Sequence, residues 1–554
     1  MARSETTDDW KLLQIGIDFN NGIHPAYYAN IDRNWRMYNS DQWFGVEANG
    51  LPTPVFNMFK PIINHFIAYI LSQDTAIQYV TDGMDTDVSD VMKLVTSHVQ
   101  DLWEQWKMDS KRRMLLYDGA LSGDFSMYVR WDKDAQTGLR MGVDPDTNQD
   151  VPLMGEICNE IVDGVNVFFG NPNDSRVNDG MRPVQPYIII AFREMTAKLK
   201  AEAKANKRPQ DEIDAIVGDT DNTNQAGDRG KTELSSSNPE TAKTTCIIKL
   251  WPENGRIMAR KSTKHVTIRN TWNLDMTIYP LSYGSWESVK NSYHGNSIGT
   301  GLVPNQLFIN KLFAMAMIST MNLAFPRVAF DKNKISEWVN SVGAALPVNG
   351  SVEGIVKVLN GAEIGTSVIS LIDSVIKYTK DCAGAYDAAM GNVTPDNTSA
   401  IVAVQQAASI PLENIRQGLY QFVEDLAYIW LDMMIANYGE RPVKGEDGEY
   451  RTIDFSSLRN KKIRVKVEIG SSSFWSQIAA QKTMDNLLSA ERITFLQYLE
   501  RAQDGTIPDI QGLIDDEKAK LAQAAAVPQG AGDMSANYQM PPAMPEQINP
   551  AGIA

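Results

Sequence analysis

The chain has 554 residues, of which 43% are hydrophobic and 22% charged, so it is neither largely disordered nor limited to one small domain. Its 52 basic and 68 acidic residues give a formal net charge of −16, which argues against a protein that grips DNA by neutralising phosphates. Its three scattered cysteines (Cys158, Cys246 and Cys382) argue against a disulfide framework and against a cysteine zinc site.

The start of the chain has no apolar core typical of a signal peptide, so none is expected. The most apolar stretch, residues 307–325, is interrupted by Asn310, Lys311 and other polar residues. We therefore interpret it as a buried helix and not as a membrane span.

Helical patterns dominate the first part of the chain, to about Asp74. Pro61 precedes an apolar run from residue 62 to 71, and proline suits the first turn of a helix. Residues 84–108 repeat apolar side chains at helical spacing. His98 lies on that apolar face, where a core or interface histidine is expected rather than a ligand.

A mixed β region follows. Residues 126–131, 166–169 and 187–192 have strand composition, and a helix is expected from there through Lys200. No aromatic residue occurs between Phe192 and Trp251, so the polar segment of about 202–245 is predicted to be a mobile loop. Strand character resumes at 246–251 and 264–269.

Long helices are predicted after Gly299, at 302–325 and about 367–389, with a strand-like segment at 326–365 between them. A polar, turn-rich loop covers 391–399. The strongest periodicity then predicts one helix packed along its length, although an ordinary internal helix of a large domain has the same pattern. Its apolar residues are spaced alternately by three and four: Leu412, Ile415, Leu419, Phe422, Leu426, Ile429 and Met433.

The end of the chain contains a basic strand at 461–469, helices between 474 and 526, and a tail from Val527 that is predicted to be disordered. The fold class expected from all these patterns is α+β and predominantly helical.

Catalytic motifs fail when they are tested individually. Residues 295–299 match G-x-S-x-G, but all five histidines precede Ser297, whereas an α/β-hydrolase needs its histidine afterwards. The alternative is a tight loop leading into the following helix. The sequence Gly230-Lys231-Thr232 lacks the earlier glycine of a phosphate loop, because position 225 is Gln225. We expect no catalytic residue, no cofactor and no metal, and therefore no enzyme.

Four segments, in this order, resemble the portal proteins of tailed bacteriophages. Residues 35–43 (WRMYNSDQW) resemble the end of an N-terminal helix in that family, and residues 57–70 (NMFKPIINHFIAYI) resemble the helix that follows. Residues 118–125 (DGALSGDF) resemble its helix that ends at a glycine before a strand. Residues 293–306 (YHGNSIGTGLVPNQ), with Asn310 one turn later, resemble the start of the portal stem. The resemblance covers roughly residues 30–440.

The resemblance implies a portal fold with wing, stem, clip and crown. The expected divisions are as follows: wing at 1–300, stem helices at 301–325 and 366–390, clip at 326–365, tunnel loop at 391–399, wing spine and return strands at 400–473, crown at 474–526, and disordered tail at 527–554.

It also implies candidate site residues. Asn392, Thr394, Asn397 and Thr398 would face DNA from the tunnel loop, unless 391–399 is an ordinary surface loop. Lys377 and Lys380 would form a weak basic belt on the second stem helix, or else face solvent or a neighbouring subunit. Residues of the clip would dock the packaging motor: Lys332, Lys334 and Trp338.

The implied assembly is a ring of about twelve copies at one capsid vertex of the virion, assembled in the bacterial host cytoplasm. Its implied partners are the terminase large subunit, the major capsid protein, head-completion or adaptor proteins, tail proteins and double-stranded DNA that passes non-specifically; no membrane is expected. The alternatives are another virion component, such as a tail-tube adaptor or scaffold, and an enzyme without a recognisable motif.

Overall fold

The structure is a computed structural model. It describes residues 6–23, 27–72, 75–81, 86–143, 150–219, 242–324, 327–335, 356–359, 366–385, 412–445, 448–459 and 461–469, with short pieces between 348 and 354 and between 484 and 519. The chain divides into two compact units, Met1–Ser471 and Ser472–Ala554.

The helices of the first unit fall into two groups along the chain. The first group contains α1 (Asp8–Ile23), α2 (Tyr27–Tyr38), α3 (Phe59–Ile70), α4 (Thr86–Gln105) and α5 (Met108–Ser122). The second group contains α6 (Thr196–Ala205), α7 (Gln210–Asp214), α8 (Gly299–Ala324), α9 (Thr366–Ala383) and α10 (Glu413–Asn437).

Among the described residues, the strands of this unit are β1 (Thr75–Thr81), β2 (Asp124–Val143), β3 (Asp150–Asp163), β4 (Val167–Phe169), β5 (Ile188–Met195), β6 (Lys243–Glu253), β7 (Arg256–Thr263), β8 (Thr267–Asn273), β9 (Leu281–Ser285), β10 (Arg327–Phe330), β11 (Val356–Leu359), β12 (Glu440–Lys444), β13 (Tyr450–Asp454) and β14 (Ile463–Ile469). They form a five-stranded sheet in the order β4-β5-β6-β7-β8, a three-stranded sheet in the order β3-β2-β9, and the pairs β1-β14, β10-β11 and β12-β13. Every one of these pairings is antiparallel.

The fold is therefore α+β, as expected, but the predominance of helix is not confirmed. Helices account for 47% and strands for 26%, in several sheets. The strand β7 was missed because its sequence, RIMARKST, mixes polar and apolar residues without a clear alternation. It lies in the interior of the five-stranded sheet, where hydrogen bonds to β6 and β8 on either side stabilise its extended backbone.

Helix α10 lies at the centre of the main hydrophobic core. The predicted apolar repeat is buried, except that Ile415 is only partly covered, and further residues such as Trp430 and Met434 are buried as well. Trp430 donates its indole N–H to Asn159 Oδ1 at 2.7 Å. Because most sides of α10 are buried, it is an internal helix of a large domain, as the alternative interpretation of its pattern held.

The mobile loop expected at 202–245 is wrong for its first part and for its last residues, which belong to β6 from Lys243 onwards. Helix α6 extends to Ala205, α7 follows, and the chain is described as far as residue 219. Ile213 and Ile216 are buried against Leu199, Cys246 and neighbouring apolar residues. Aliphatic side chains thus supply the core that the absence of aromatic residues had argued against. Residues 220–241 lie outside the described residues.

The second unit is described only in pieces. Helix α11 (Phe495–Leu499) contributes Tyr498 and Leu499 to a small apolar cluster with Ile514. Helical structure is compatible with the expected crown segment, whose bounds remain a prediction. In neither unit does a described helix have the length and apolar character needed to cross a membrane.

Candidate functional site

The long helix α8 is anchored at its base by a cluster of buried amide side chains. Asn310 donates from Nδ2 to Gln42 Oε1 at 2.5 Å, and Gln306 donates to Asn310 Oδ1 at 3.0 Å. Gln306 also donates to the carbonyl of Phe56 at 2.8 Å and accepts from the backbone N–H of Met58 at 2.9 Å. Residues 250 positions apart are therefore joined by directional bonds in a dry environment, where leaving one unmade is costly.

Asn57 links the chain before α3 to the end of α2. Its Nδ2 lies 3.1 Å from the carbonyl oxygens of Met37 and Tyr38, and 3.0 Å from Ser40 Oγ. Its Oδ1 accepts from the backbone N–H of Lys60 at 3.1 Å. One amide side chain thus fixes the angle between two helices and the loop that joins them.

Asn64, on α3, holds two tyrosines. Tyr38 and Tyr117 both donate their hydroxyls to Asn64 Oδ1 at 2.9 Å. Burial is the main cause that raises the pKa of Tyr38 to about 12, and the neighbouring Tyr117 adds to it. Helices α2, α3 and α5 are therefore tied at one point.

Two glycines permit the backbone of α5 to touch the loop that leads into α8. Gly123 has a φ of +96°, and a Cβ there would lie 2.4 Å from the carbonyl oxygen of Gly295. A Cβ on Gly295 would lie 2.9 Å from the carbonyl oxygen of Gly123. Neither position has room for a larger residue, so the sequence at both must be glycine for this contact to form.

A buried polar cluster lies beside this contact. Asp124 is fully buried; its carboxylate accepts from the backbone N–H of Gly295 at 2.8 Å and lies 2.6 Å from His294 Nδ1. His294 Nε2 lies 3.0 Å from Asn20 Oδ1. Tyr27 contacts both Asp124 and His294, and burial raises its pKa well above the ordinary value. The cluster joins α1, α2 and β2 to the loop before α8.

The same geometry accounts for the G-x-S-x-G motif. Ser297 Oγ accepts from Asn34 Nδ2 at 2.9 Å, while both ring nitrogens of His294 face Asp124 and Asn20. The backbone N–H of Ile298 donates to the carbonyl of Ala120. The motif is thus the tight loop that leads into α8, as the alternative interpretation held.

Beyond its base, α8 is apolar and exposed. Its 26 residues include a single ionisable side chain, Lys311. Five of its large apolar residues are exposed: Phe308, Met315, Met317, Met321 and Leu323. Helix α9, which packs against α8, exposes Ile369, Leu371 and Tyr378. A helix that is apolar on all sides is normally buried, so this surface is suited to contact with other protein.

The structure describes four of the residues predicted to form functional sites. Lys377 is exposed and Lys380 is half-buried, both on α9. Lys332 is exposed and Lys334 half-buried in the turn after β10. The others lie outside the described residues: Trp338, Asn392, Thr394, Asn397 and Thr398. Their roles remain predictions.

Sequence reasoning missed the roles of Asn34, Asp124 and His294. Asp124 and His294 both lie inside segments that carried the resemblance. The only local signal concerned Asp124, an acidic residue directly after the glycine that ends a helix. No group of residues suited to hold a metal occurs in the described part of the chain. Comparison of the sequence with models of known protein families gives no match, and comparison with curated proteins gives none either.

Proposed function

We propose that this chain is a structural subunit of a bacteriophage portal, in which about twelve copies form a ring at one vertex of the capsid. In this proposal the ring is the channel for DNA packaging and ejection, and it is not an enzyme. The packaging motor docks on it first, and head-completion and tail proteins dock on it later. The stem would contain α8 and α9, with β10 and β11 belonging to the clip.

The observation that carries the proposal is the convergence of the four resembling segments on one structural unit. Gln42, Met58, Gly123 and Gly295 come from the four separate segments, and each one contacts α8, contacts the loop that leads into it or belongs to that loop. A chance likeness of four short segments gives no reason for them to meet. A shared architecture does, because each segment then holds the same long helix in place.

The exposed surface of α8 and α9 supports assembly. Full burial of a large apolar side chain is worth about 1.5–3 kcal/mol, so each of these eight half-exposed side chains would gain roughly half of that on being covered, which favours association. The exposed apolar residues continue along α8 past Ala314 to Leu323, where the single chain covers little of the helix. Neighbouring copies in a ring would supply the missing contacts.

The net charge is compatible with a channel for DNA. Duplex DNA carries a negative charge about every 1.7 Å along its axis, and a dense basic lining would hold it in place. A subunit with a charge of −16 favours a wall that repels or weakly contacts the phosphates. Loose contact is what sliding requires.

Negative-stain imaging and native mass measurement of the purified protein test the proposal. We expect closed rings of one copy number with a central hole that admits duplex DNA. Met321→Asp and Leu323→Asp should prevent ring formation, whereas Ile15→Asp, at a site 61% exposed on α1, should not. Monomers, sheets or closed shells from the unmodified protein would refute a portal and favour another virion component.

A further inference from the structure

A second exposed apolar surface lies in residues 43–56, the loop between α2 and α3, called here the 43–56 loop. Phe44 is 60% exposed and Leu51 56%, and Val46, Val55 and Phe56 are exposed as well. Five such residues in fourteen are unusual for a loop facing water. The surface therefore needs a physical explanation.

The 43–56 loop is folded into a fixed shape. Trp43 donates its indole N–H to the carbonyl of Pro54 at 2.9 Å, which closes the loop across its neck. Asn49 and Gly50 both have positive φ, and the backbone N–H of Leu51 returns to the carbonyl of Ala48 at 2.8 Å. A preformed surface of this kind loses little conformational entropy when another protein covers it.

The 43–56 loop lies next to the middle of α8 in its own chain. The ring of Phe56 lies 4.0 Å from that of Phe313, and the carbonyl of Phe56 accepts from Gln306. The outer side of α8 near this point carries an exposed stripe of Phe308, Lys311 and Met315, which share one helical face by their spacing of three and four.

Each of the two surfaces carries one exposed charge, and the two have opposite signs. Glu47 is the only ionisable residue between 42 and 56, and Lys311 is the only one in α8. Neither makes an ion pair with any residue that the structure describes. An apolar surface with one acid and another with one base are complementary.

Ring symmetry determines which surfaces can meet. Neighbouring subunits in a closed ring are related by rotation, so the contact joins two different surfaces of the same chain. Rotation also keeps every residue at its own level along the axis. A loop beside residue 313 therefore faces the neighbouring copy at the level of its residues 308–315.

We propose that the 43–56 loop packs on the Phe308–Lys311–Met315 stripe of the adjacent subunit, with Glu47 paired to that subunit's Lys311. The inference rests on the proposed function, because it requires a ring. At roughly 50–100 Å² for each half-exposed apolar side chain, the 43–56 loop of one copy and the exposed side of α8 and α9 of the next offer together on the order of 1,000 Å². A standard stable interface buries about 1,600 Å² from both partners together, so these side chains would supply more than half of one.

A charge exchange tests the pairing. Glu47→Lys and Lys311→Glu, each alone, put like charges at every interface of the ring. We expect each to raise the protein concentration at which rings dissociate by on the order of tenfold, since one exposed pair changes an interface equilibrium by about two- to fivefold and a ring repeats it. The double variant should return to within about threefold of the unmodified protein.

Lys204→Glu, on α6, is the matched control, because it is an exposed lysine away from both surfaces. It should leave the concentration at which rings dissociate unchanged. The double variant Lys204→Glu with Glu47→Lys should dissociate at the same concentration as Glu47→Lys alone. Circular dichroism of each variant establishes that the subunit is folded. Folded single variants whose defects simply add in the double variant would overturn the pairing.

Covalent capture gives an independent readout. Glu47→Cys with Lys311→Cys, in a chain that also has Cys382→Ser, should give a ladder of linked subunits on a denaturing gel after mild oxidation. Either cysteine alone should give no ladder. Intact rings without a ladder would refute this contact and leave the portal proposal standing. Absence of rings from the unmodified protein would refute both.

Discussion

Replacing Asn310 by leucine measures how firmly the base of α8 is held. Asn310 is buried, donates to Gln42 and accepts from Gln306. Leucine keeps the branching at Cγ but cannot form hydrogen bonds, so it leaves two buried amide groups without these partners. Gln42 and Gln306 keep their other hydrogen bonds, so each unmade bond should cost about 1–2 kcal/mol, and we expect a loss of about 2–4 kcal/mol.

Hydrogen exchange measured by mass spectrometry is the appropriate assay, because it reports opening of this region in the intact folded chain. At about 1.4 kcal/mol per factor of ten, the protection of backbone amides at 42–58 and 303–312 should fall roughly 30- to 700-fold. Asn322→Leu, at an exposed position on the same helix, should leave protection unchanged. Equal protection in the unmodified and Asn310→Leu proteins would refute the amide cluster as the anchor of α8.

Three further predictions concern stability, each measured by denaturant titration. Gly123→Ala should cost about 2–4 kcal/mol, because φ is +96° and the new Cβ would collide with the Gly295 carbonyl, whereas Gly22→Ala, on an open helix surface, should change stability by at most ~1 kcal/mol. Burial, aided by a nearby arginine, lowers the pKa of His98 to about 4, so the folded chain stays neutral there while the unfolded chain takes up a proton; stability should fall as the pH drops from 6.5 to 4, and His98→Leu should remove that slope. Burial raises the pKa of Asp425 to about 6, so the folded chain keeps a proton that the unfolded chain loses above pH 3.8. The free energy of unfolding should therefore fall by up to about 3 kcal/mol as the pH rises from 3.8 to 6. A pH profile that Asp425→Asn leaves unaltered would contradict this.

The sequence predicted the elements whose pattern is local. Helix α10 was found from its apolar spacing and α3 from Pro61 and the run after it, whereas the end of α5 before Gly123 was expected from the resemblance. Each of these signals lies within a few residues of the structure that it specifies. Periodicity and turn chemistry are properties of the chain itself, so they are visible before the chain folds.

The parts that escaped prediction depend on partners far away in the sequence. Asp124 and His294 are 170 positions apart, and nothing near either residue indicates the other. Ile213 and Ile216 are buried because Leu199, Cys246 and Ile268 come to meet them. Aromatic content was a poor guide there, since aliphatic residues and Cys246, with Phe192 packed against them, close that small core.

The described elements divide α8 into two parts with different physical tasks. Its first turns are fixed by directional bonds from Gln42, Gln306 and Asn310, which specify one orientation. Its later turns carry adaptable methionines and almost no charge. The hydrogen bonds at the base fix the direction of the helix, and the flexible apolar side chains of its later turns can pack against a protein surface that covers them. In the proposed ring, subunits that each carry a charge of −16 would repel one another, so a contact surface nearly free of acidic residues is where copies would approach.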